Sequence, residues 1–251
     1  INFGILTTYD GNNTIRRNNV HYNEIESGGA VNCSGGKCWV EQNLICNNFT
    51  TKSSCGMSDG GAGVRLSGTG TLPLDSVVQI VRNNVIANNH CAFYGGGVYL
   101  CYTKASVMNN DIINNTAVLG GAAIAGVGTQ SKIDIMNNIL YGNQGTTGTS
   151  NKEITLLSCN QVHIDYNWLK QSCSATMYIG IGSITGDTAH NVIASNPMLS
   201  NPTTSAGISD DATLKDFNLT ASSVTCIDKG DTTGAFCAAI DYLSNARIAG
   251  N

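Results

Sequence analysis

The sequence predicts an all-β protein, a parallel β-helix with a C-terminal cap, and three observations carry that expectation. A short phrase returns six times: an aliphatic residue, two residues, Asn, one residue, an aliphatic residue. A glycine cluster leading into an aliphatic residue follows four of the copies. Between these landmarks the aliphatic residues alternate over short stretches, which is the period of a strand and not of a helix.

The copies are Ile15/Asn18/Val20, Val40/Asn43/Ile45, Ile80/Asn83/Val85, Val107/Asn110/Ile112, Ile135/Asn138/Leu140 and Ile164/Asn167/Leu169, spaced by 25, 40, 27, 28 and 29 residues. In the first five a second Asn follows five residues after the first, at Asn23, Asn48, Asn88, Asn115 and Asn143. Repeats this short cannot bury a core alone, so neighbours must stack into a solenoid. The glycine clusters are Gly28-Gly29-Ala30-Val31, Gly60-Gly61-Ala62-Gly63-Val64, Gly95-Gly96-Gly97-Val98 and Gly120-Gly121-Ala122-Ala123-Ile124, so each repeat reads strand, turn, strand. Asn tolerates the left-handed backbone of tight corners and bonds neighbouring backbone through its amide. Coils stacked at about 4.8 Å bring equivalent Asn side chains into register, so Asn18, Asn43, Asn83, Asn110, Asn138 and Asn167 are expected to form one hydrogen-bonded ladder.

The run Val107-Met108-Asn109-Asn110-Asp111-Ile112-Ile113-Asn114-Asn115-Thr116, followed by Gly120-Gly121-Ala122-Ala123-Ile124, resembles the right-handed β-helix coils of the pectate-lyase-like superfamily over roughly residues 12–190. That resemblance implies a fold and leaves the activity open, because lyases, hydrolases, phage spikes and surface proteins share the scaffold. The tail, with Asn196-Pro197-Met198-Leu199, Asp216-Phe217-Asn218-Leu219, Cys226-Ile227-Asp228-Lys229-Gly230-Asp231, Asp241 and Arg247, resembles the closing module of bacterial surface β-helices described as choice-of-anchor Q proteins. The expected organisation is a right-handed parallel β-helix over 1–190 and a capping module over 191–251.

Composition narrows the function classes. Charged residues make up 12% of the chain, about half the usual share. A net charge of −4 and 13 scattered basic residues, with Arg16-Arg17 the only basic pair, give no footprint for nucleic acid. No apolar run reaches the length of a membrane span, and a start at Ile1 fits a processed leader. The ten cysteines fall as five sequence neighbours, Cys33 and Cys38, Cys46 and Cys55, Cys91 and Cys101, Cys159 and Cys173, Cys226 and Cys237. An even count without CxxC favours structural disulfides in an oxidising compartment, although sequence leaves their connectivity open.

Catalysis on this scaffold needs acids, bases and charge-stabilising groups on one face. The nearest candidate is Asp134 and Asp165 with His163 beside them, a pair of carboxylates of the type that cleaves glycosidic bonds; alternating outward side chains on strands explain the same pattern. His21, His90 and His190 are isolated, no metal-binding spacing occurs, and no cofactor is expected. Asn12, Asn32, Asn48, Asn114 and Asn218 satisfy the glycan-acceptor rule. Trp39, Trp168, Tyr94, Tyr99 and Tyr102 are the candidate platforms for a carbohydrate.

The function expected from these residues is that of an extracellular or cell-surface structural or adhesive element without enzymatic activity. Its partners would be further copies of itself, joined end to end in a fibre, or surface glycans. The rival readings are a polysaccharide lyase or glycosidase and a non-catalytic carbohydrate-binding module.

Overall fold

A computed structural model describes residues 6–51, 60–68, 78–146, 152–170, 176–179, 182–185, 190–226 and 230–231. Among them there is no helix: the chain is a parallel β-solenoid. Each full coil has four sides. One coil runs through Val98–Cys101, Lys104–Met108, Asp111–Ile113 and Thr116–Ala117, and the next begins at Ile124–Val127. Equivalent strands pair in parallel to give three seven-stranded sheets and one five-stranded sheet, here called the first to fourth sheets in chain order.

Side chains alternate as the pleat demands. In the third sheet Val20, Ile45, Ile86, Ile112, Leu140 and Leu169 are mutual partners in register and form one inward column. Val31, Val64, Val98, Ile124 and Ile154 form another in the first sheet, each wholly buried. These columns join in one apolar core along the solenoid.

The corners explain the asparagines. Between the second and third sheets the turning residues Arg17, Gln42, Asn83, Asn109, Asn137 and Tyr166 have φ between 54° and 57°. Between the third and fourth sheets Tyr22, Asn47, Asn88, Asn114 and Gly142 do the same, with φ from 54° to 71°. A left-handed residue is costly for most side chains and least so for Gly and Asn. The residue after each turn is the Asn that faces inward.

Two inward rows result. The first is Asn18, Asn43, Asn84, Asn110, Asn138, Asn167 and Asn191, in which each side-chain amide donates to the Oδ1 of the next at 2.9–3.1 Å. The backbone N–H of each of the first six donates to the same oxygen, so every Oδ1 from Asn43 to Asn191 closes two bonds. The second is Asn23, Asn48, Asn89, Asn115 and Asn143, at 2.7–3.0 Å.

This corrects the third repeat by one residue. Asn83 is the left-handed turn residue and Asn84 is the rung; the partner of Val40 and Val107 is Val81, not Ile80. Likewise Asn89, and not Asn88, is the rung of the second row. Asn191 adds a seventh rung to the first row, and Val192–Ala194 pairs with Trp168–Lys170, so the solenoid continues past residue 190.

Where a cap was expected, the described part of the C-terminal segment lies along the flank. Leu199, Ala212 and Phe217 pack on the outward face of the third sheet, against Leu44, Cys46, Val85, Ala87 and Ile113. The segment doubles back on itself, Leu199–Asn201 pairing antiparallel with Asp216–Leu219. This strap runs from the last coils toward the first and returns.

Candidate functional site

The strap is held by the turn residues that face out. Asn114 Nδ2 donates to the Thr203 carbonyl and hydroxyl, both at 2.8 Å. Asn88 Nδ2 donates to the carbonyls of Ser205 and Gly207, and its Oδ1 accepts the Thr203 hydroxyl. Asn47 Nδ2 donates to the Asp210 carbonyl at 2.7 Å while its Oδ1 accepts the Ala212 N–H at 3.0 Å. At the other corner Asn137 exchanges two such bonds with the backbone of Asp231. The doublets Asn47-Asn48, Asn88-Asn89, Asn114-Asn115 and Asn137-Asn138 therefore divide their work, the first residue turning the chain and gripping the strap, the second building the inner row.

Farther along the strap the phenol of Tyr22 donates to Asp211, which pushes the Tyr22 pKa up to about 12. The same contact, after the Thr213 hydroxyl and N–H, holds the Asp211 carboxyl below its ordinary value. Trp168 Nε1 donates to Thr225 Oγ1 at 3.2 Å on the return leg.

Among the described residues, the outward face of the second sheet carries the grouping of the expected acid and base residues. Asp134 and His163 are partners on adjacent strands, and Asp165 lies beyond them opposite Met136. The two carboxylates thus stand on different rungs. Asp134 accepts from Ser106 Oγ at 3.1 Å, whereas Asp165 pairs with His190 at 3.2 Å and accepts the Tyr166 N–H at 3.0 Å. Tyr166 stacks on His190 with ring centroids 4.4 Å apart. His163 Nδ1 lies 3.2 Å from Thr185 Oγ1. Each group has its own structural partner, which makes this a chain of surface pairs in place of a convergent acid–base dyad. His90 is also satisfied, by Thr116 at 2.8 Å, and burial lowers its pKa.

Along the same face run Lys37, then Lys104 and Lys132 as direct neighbours, then Gln161. Beside them stand Trp39, Ile80, Ser106, Asp134 and His163. Glu41 bridges Arg82 at 2.7 Å and Arg16 at 3.5 Å. The arrangement is flat, regular and of mixed charge.

The other candidates separate by burial. Of the glycan acceptors, Asn12 and Asn218 are exposed. Asn32, Asn48 and Asn114 are buried, Asn48 as a rung and Asn114 as a strap anchor, so the folded chain withholds them from modification. Tyr99 and Trp168 are buried packing residues, which removes them as platforms; Tyr94 packs beside Tyr99, Trp39 is half-buried, and Tyr102 is exposed.

Cys33 and Cys38 form a disulfide across the corner between the first and second sheets. The remaining pairings are corrected as far as they can be seen: Cys46, Cys91, Cys159 and Cys226 carry free thiols, and no bond joins Cys91 to Cys101. The reason is direction, because Cys91 packs among alanines of the fourth-sheet corner while Cys101 packs with Tyr99 on the first sheet. Burial pushes the Cys46 thiol up to about 12 and the Cys159 and Cys226 thiols up to about 11. Cys55, Cys173 and Cys237 lie outside the described residues, as do Asp228, Lys229, Asp241 and Arg247. No group of three or more His, Cys, Asp or Glu among the described residues is arranged to hold a metal ion.

Besides Asn84, Asn89 and Asn191, a further residue had no role in the sequence reading. Glu153 is wholly buried, with Oε1 accepting from Asn143 Nδ2 at 3.4 Å, so a carboxyl ends the second asparagine row. Its position in register belongs to Ala30, Gly63, Gly97 and Ala123, one residue before the first-sheet strands. A side chain at Gly63 or Gly97 would strike the backbone carbonyl of Gly97 or Ala123 at 2.6 Å and would also crowd the amide of Asn89 or Asn115 at 3.1 and 3.3 Å. Compared with known proteins, the chain matches no family model, no curated protein and no solved structure.

Proposed function

We propose that this chain is a structural or adhesive β-helix of the extracellular space or cell surface, of the right-handed, pectate-lyase-like kind, with its tail serving as a closing module of the choice-of-anchor Q type. The observation that carries the reading is the pair of asparagine rows, which run through coil after coil while an outer row ties a strap along the flank. Hydrogen bonding is thus concentrated on axial continuity, as a load-bearing rod requires. The Cys33–Cys38 disulfide supports an oxidising compartment. The flat second-sheet face supplies the adhesive surface, with Lys104, Lys132 and Trp39 as its contact groups for glycans, and further copies are the other class of partner.

The test is retention of the purified chain on immobilised acidic and neutral polysaccharides, with products followed in parallel. Binding weakened at least tenfold by Lys104→Glu with Lys132→Glu, without release of reducing ends or unsaturated sugars, is the expected result. Sustained product release that vanishes in Asp134→Asn or Asp165→Asn would replace the adhesive reading with an enzymatic one.

A further inference from the structure

The end of the second asparagine row is chemically unlike everything before it. Asn23, Asn48, Asn89 and Asn115 each pass their amide hydrogens to another amide oxygen, and Asn143 passes its own to a carboxyl. The backbone N–H groups of Lys170 and Asn143 also face that carboxyl. Its second oxygen, Oε2, is buried and makes no hydrogen bond among the described residues. Lys170 is the one charged side chain among them that acts on Glu153, and its Nζ lies 5.4 Å from the centre of the Tyr141 ring, on the outward side of the third sheet.

We propose that Glu153 is a proton-operated latch: with its proton it closes the inner row as an amide would, and when it gives that proton to solvent the coil between Glu153 and Lys170 opens.

The argument rests on the asymmetry of the site. A neutral carboxyl offers the same acceptor as an Asn side chain, so Asn143 meets no change in its bonding. An ionised carboxylate in the same place has, among the described residues, one oxygen without a partner and no cation bonded to it, which is the costly way to bury a charge. Burial accordingly pushes the Glu153 pKa up to about 8, against the smaller opposing pull of Asn143 and Lys170. Ile154–Leu157 and Trp168–Lys170 are hydrogen-bonded to the coil before them, and their parting from it admits water to the carboxylate. The site thereby converts a change in pH into local opening of the last coils, beside Trp168, where the strap is tied.

Native-state hydrogen exchange between pH 6 and 9.5, corrected for the intrinsic rate, tests this in the intact chain. In the wild type the open fraction at 154–157 and 168–170 should rise about tenfold per pH unit from pH 6 to about pH 8 and level off above it, because the opened Glu153 releases its proton at about 4.3 and the closed one only at about 8. Glu153→Gln should abolish that rise. An equal rise in Glu153→Gln, or no rise in either protein, would overturn the proposal. Carbon-13 NMR titration of the Glu153 carboxyl in the wild type gives an independent answer if the variant does not fold: a midpoint near 8 supports the latch, and a midpoint in the ordinary carboxylate range refutes it.

Discussion

The two inner asparagine rows are built alike and end differently. The row between the second and third sheets keeps its chemistry through seven rungs to Asn191, where the third sheet has its last strand. The row between the third and fourth sheets stops at Asn143 and passes to Glu153, where the five-stranded fourth sheet also stops. The difference teaches that the ladder is a device of the corner, lasting as long as there is a next coil with an amide in register. Beyond Asn143 the row has no further amide among the described residues, and a carboxyl from the neighbouring small-residue column, Glu153, takes the acceptor's place.

The largest effect should come from breaking either row in the middle. Asn110 donates to the carbonyls of Val81 and Met108 and to Asn138 Oδ1, and its oxygen receives both donors of Asn84. Asn110→Leu strands several of these groups in a buried corner at about 1–3 kcal/mol each, for a loss on the order of 5 kcal/mol in urea unfolding. Asn115→Leu should cost a similar amount, since Asn115 is bonded in the same way to Ile86, Asn143 and Asn89. At the open end of the first row Asn18→Leu should cost below about 1 kcal/mol, because water replaces what is lost there. Equal losses at Asn18 and Asn110 would deny that burial gives the row its strength.

Next in size is the rung that differs. Glu153 keeps its proton to about pH 8 in the folded chain, whereas an unfolded Glu releases it near 4.3. Between these values the folded state binds the extra proton, so stability is greatest below the lower one, falls as pH rises, and levels off above the upper one. The full span corresponds to about 5 kcal/mol at 1.36 kcal/mol per pH unit, and structural relaxation should leave about 3. Glu153→Gln removes this dependence: it should match the wild type near pH 4 and exceed it by about 3 kcal/mol at pH 9. Parallel stability curves for the two proteins would show that Glu153 is not the group responsible.

Much of the body was legible because its rules are local. The aliphatic alternation and the Asn phrase mark the coil and the first row at Asn18, Asn43, Asn110, Asn138 and Asn167. The phrase failed at the third repeat because Ile80-Val81, Asn83-Asn84 and Val85-Ile86 are all doublets, so two registers satisfy it equally. What decides between them is which Asn takes the left-handed turn, and that depends on the pairing of Val40, Val81 and Val107 in three dimensions. Asn191 was missed because Thr188 stands where the phrase wants an aliphatic residue.

The strap left a fainter trace. Its anchors grip backbone carbonyls and N–H groups, which impose almost no side-chain pattern on residues 199–212. The readable sign lay instead in the third sheet, where Leu44-Ile45-Cys46 and Val85-Ile86-Ala87 have no polar member. Strands apolar on both faces announce a cover on each side. Glu153 gave no sign at all, since a single Glu becomes informative only once its column is known to hold Ala30, Gly63, Gly97 and Ala123.

The smallest effect should come from the outer face of the same corner, and it tests whether the two members of a doublet are separable. Asn114 turns the chain at φ 54° and bonds Thr203, while Asn115 beside it bonds inward. Asn114→Gly keeps the turn, because glycine adopts that backbone freely, and removes the grip on the strap. The expected cost is about 1–2 kcal/mol for the lost bonds and the buried groups they leave. Asn114→Ala should lose about 1 kcal/mol more, the added penalty of a left-handed alanine. Both losses should appear in the strap and spare the row: limited proteolysis should cut faster between residues 199 and 226, with exchange protection unchanged at Asn89 and Asn115. If protection at those two rungs falls together with the strap in Asn114→Gly, the inner and outer asparagines form one cooperative unit, and the division of labour within the doublet does not hold.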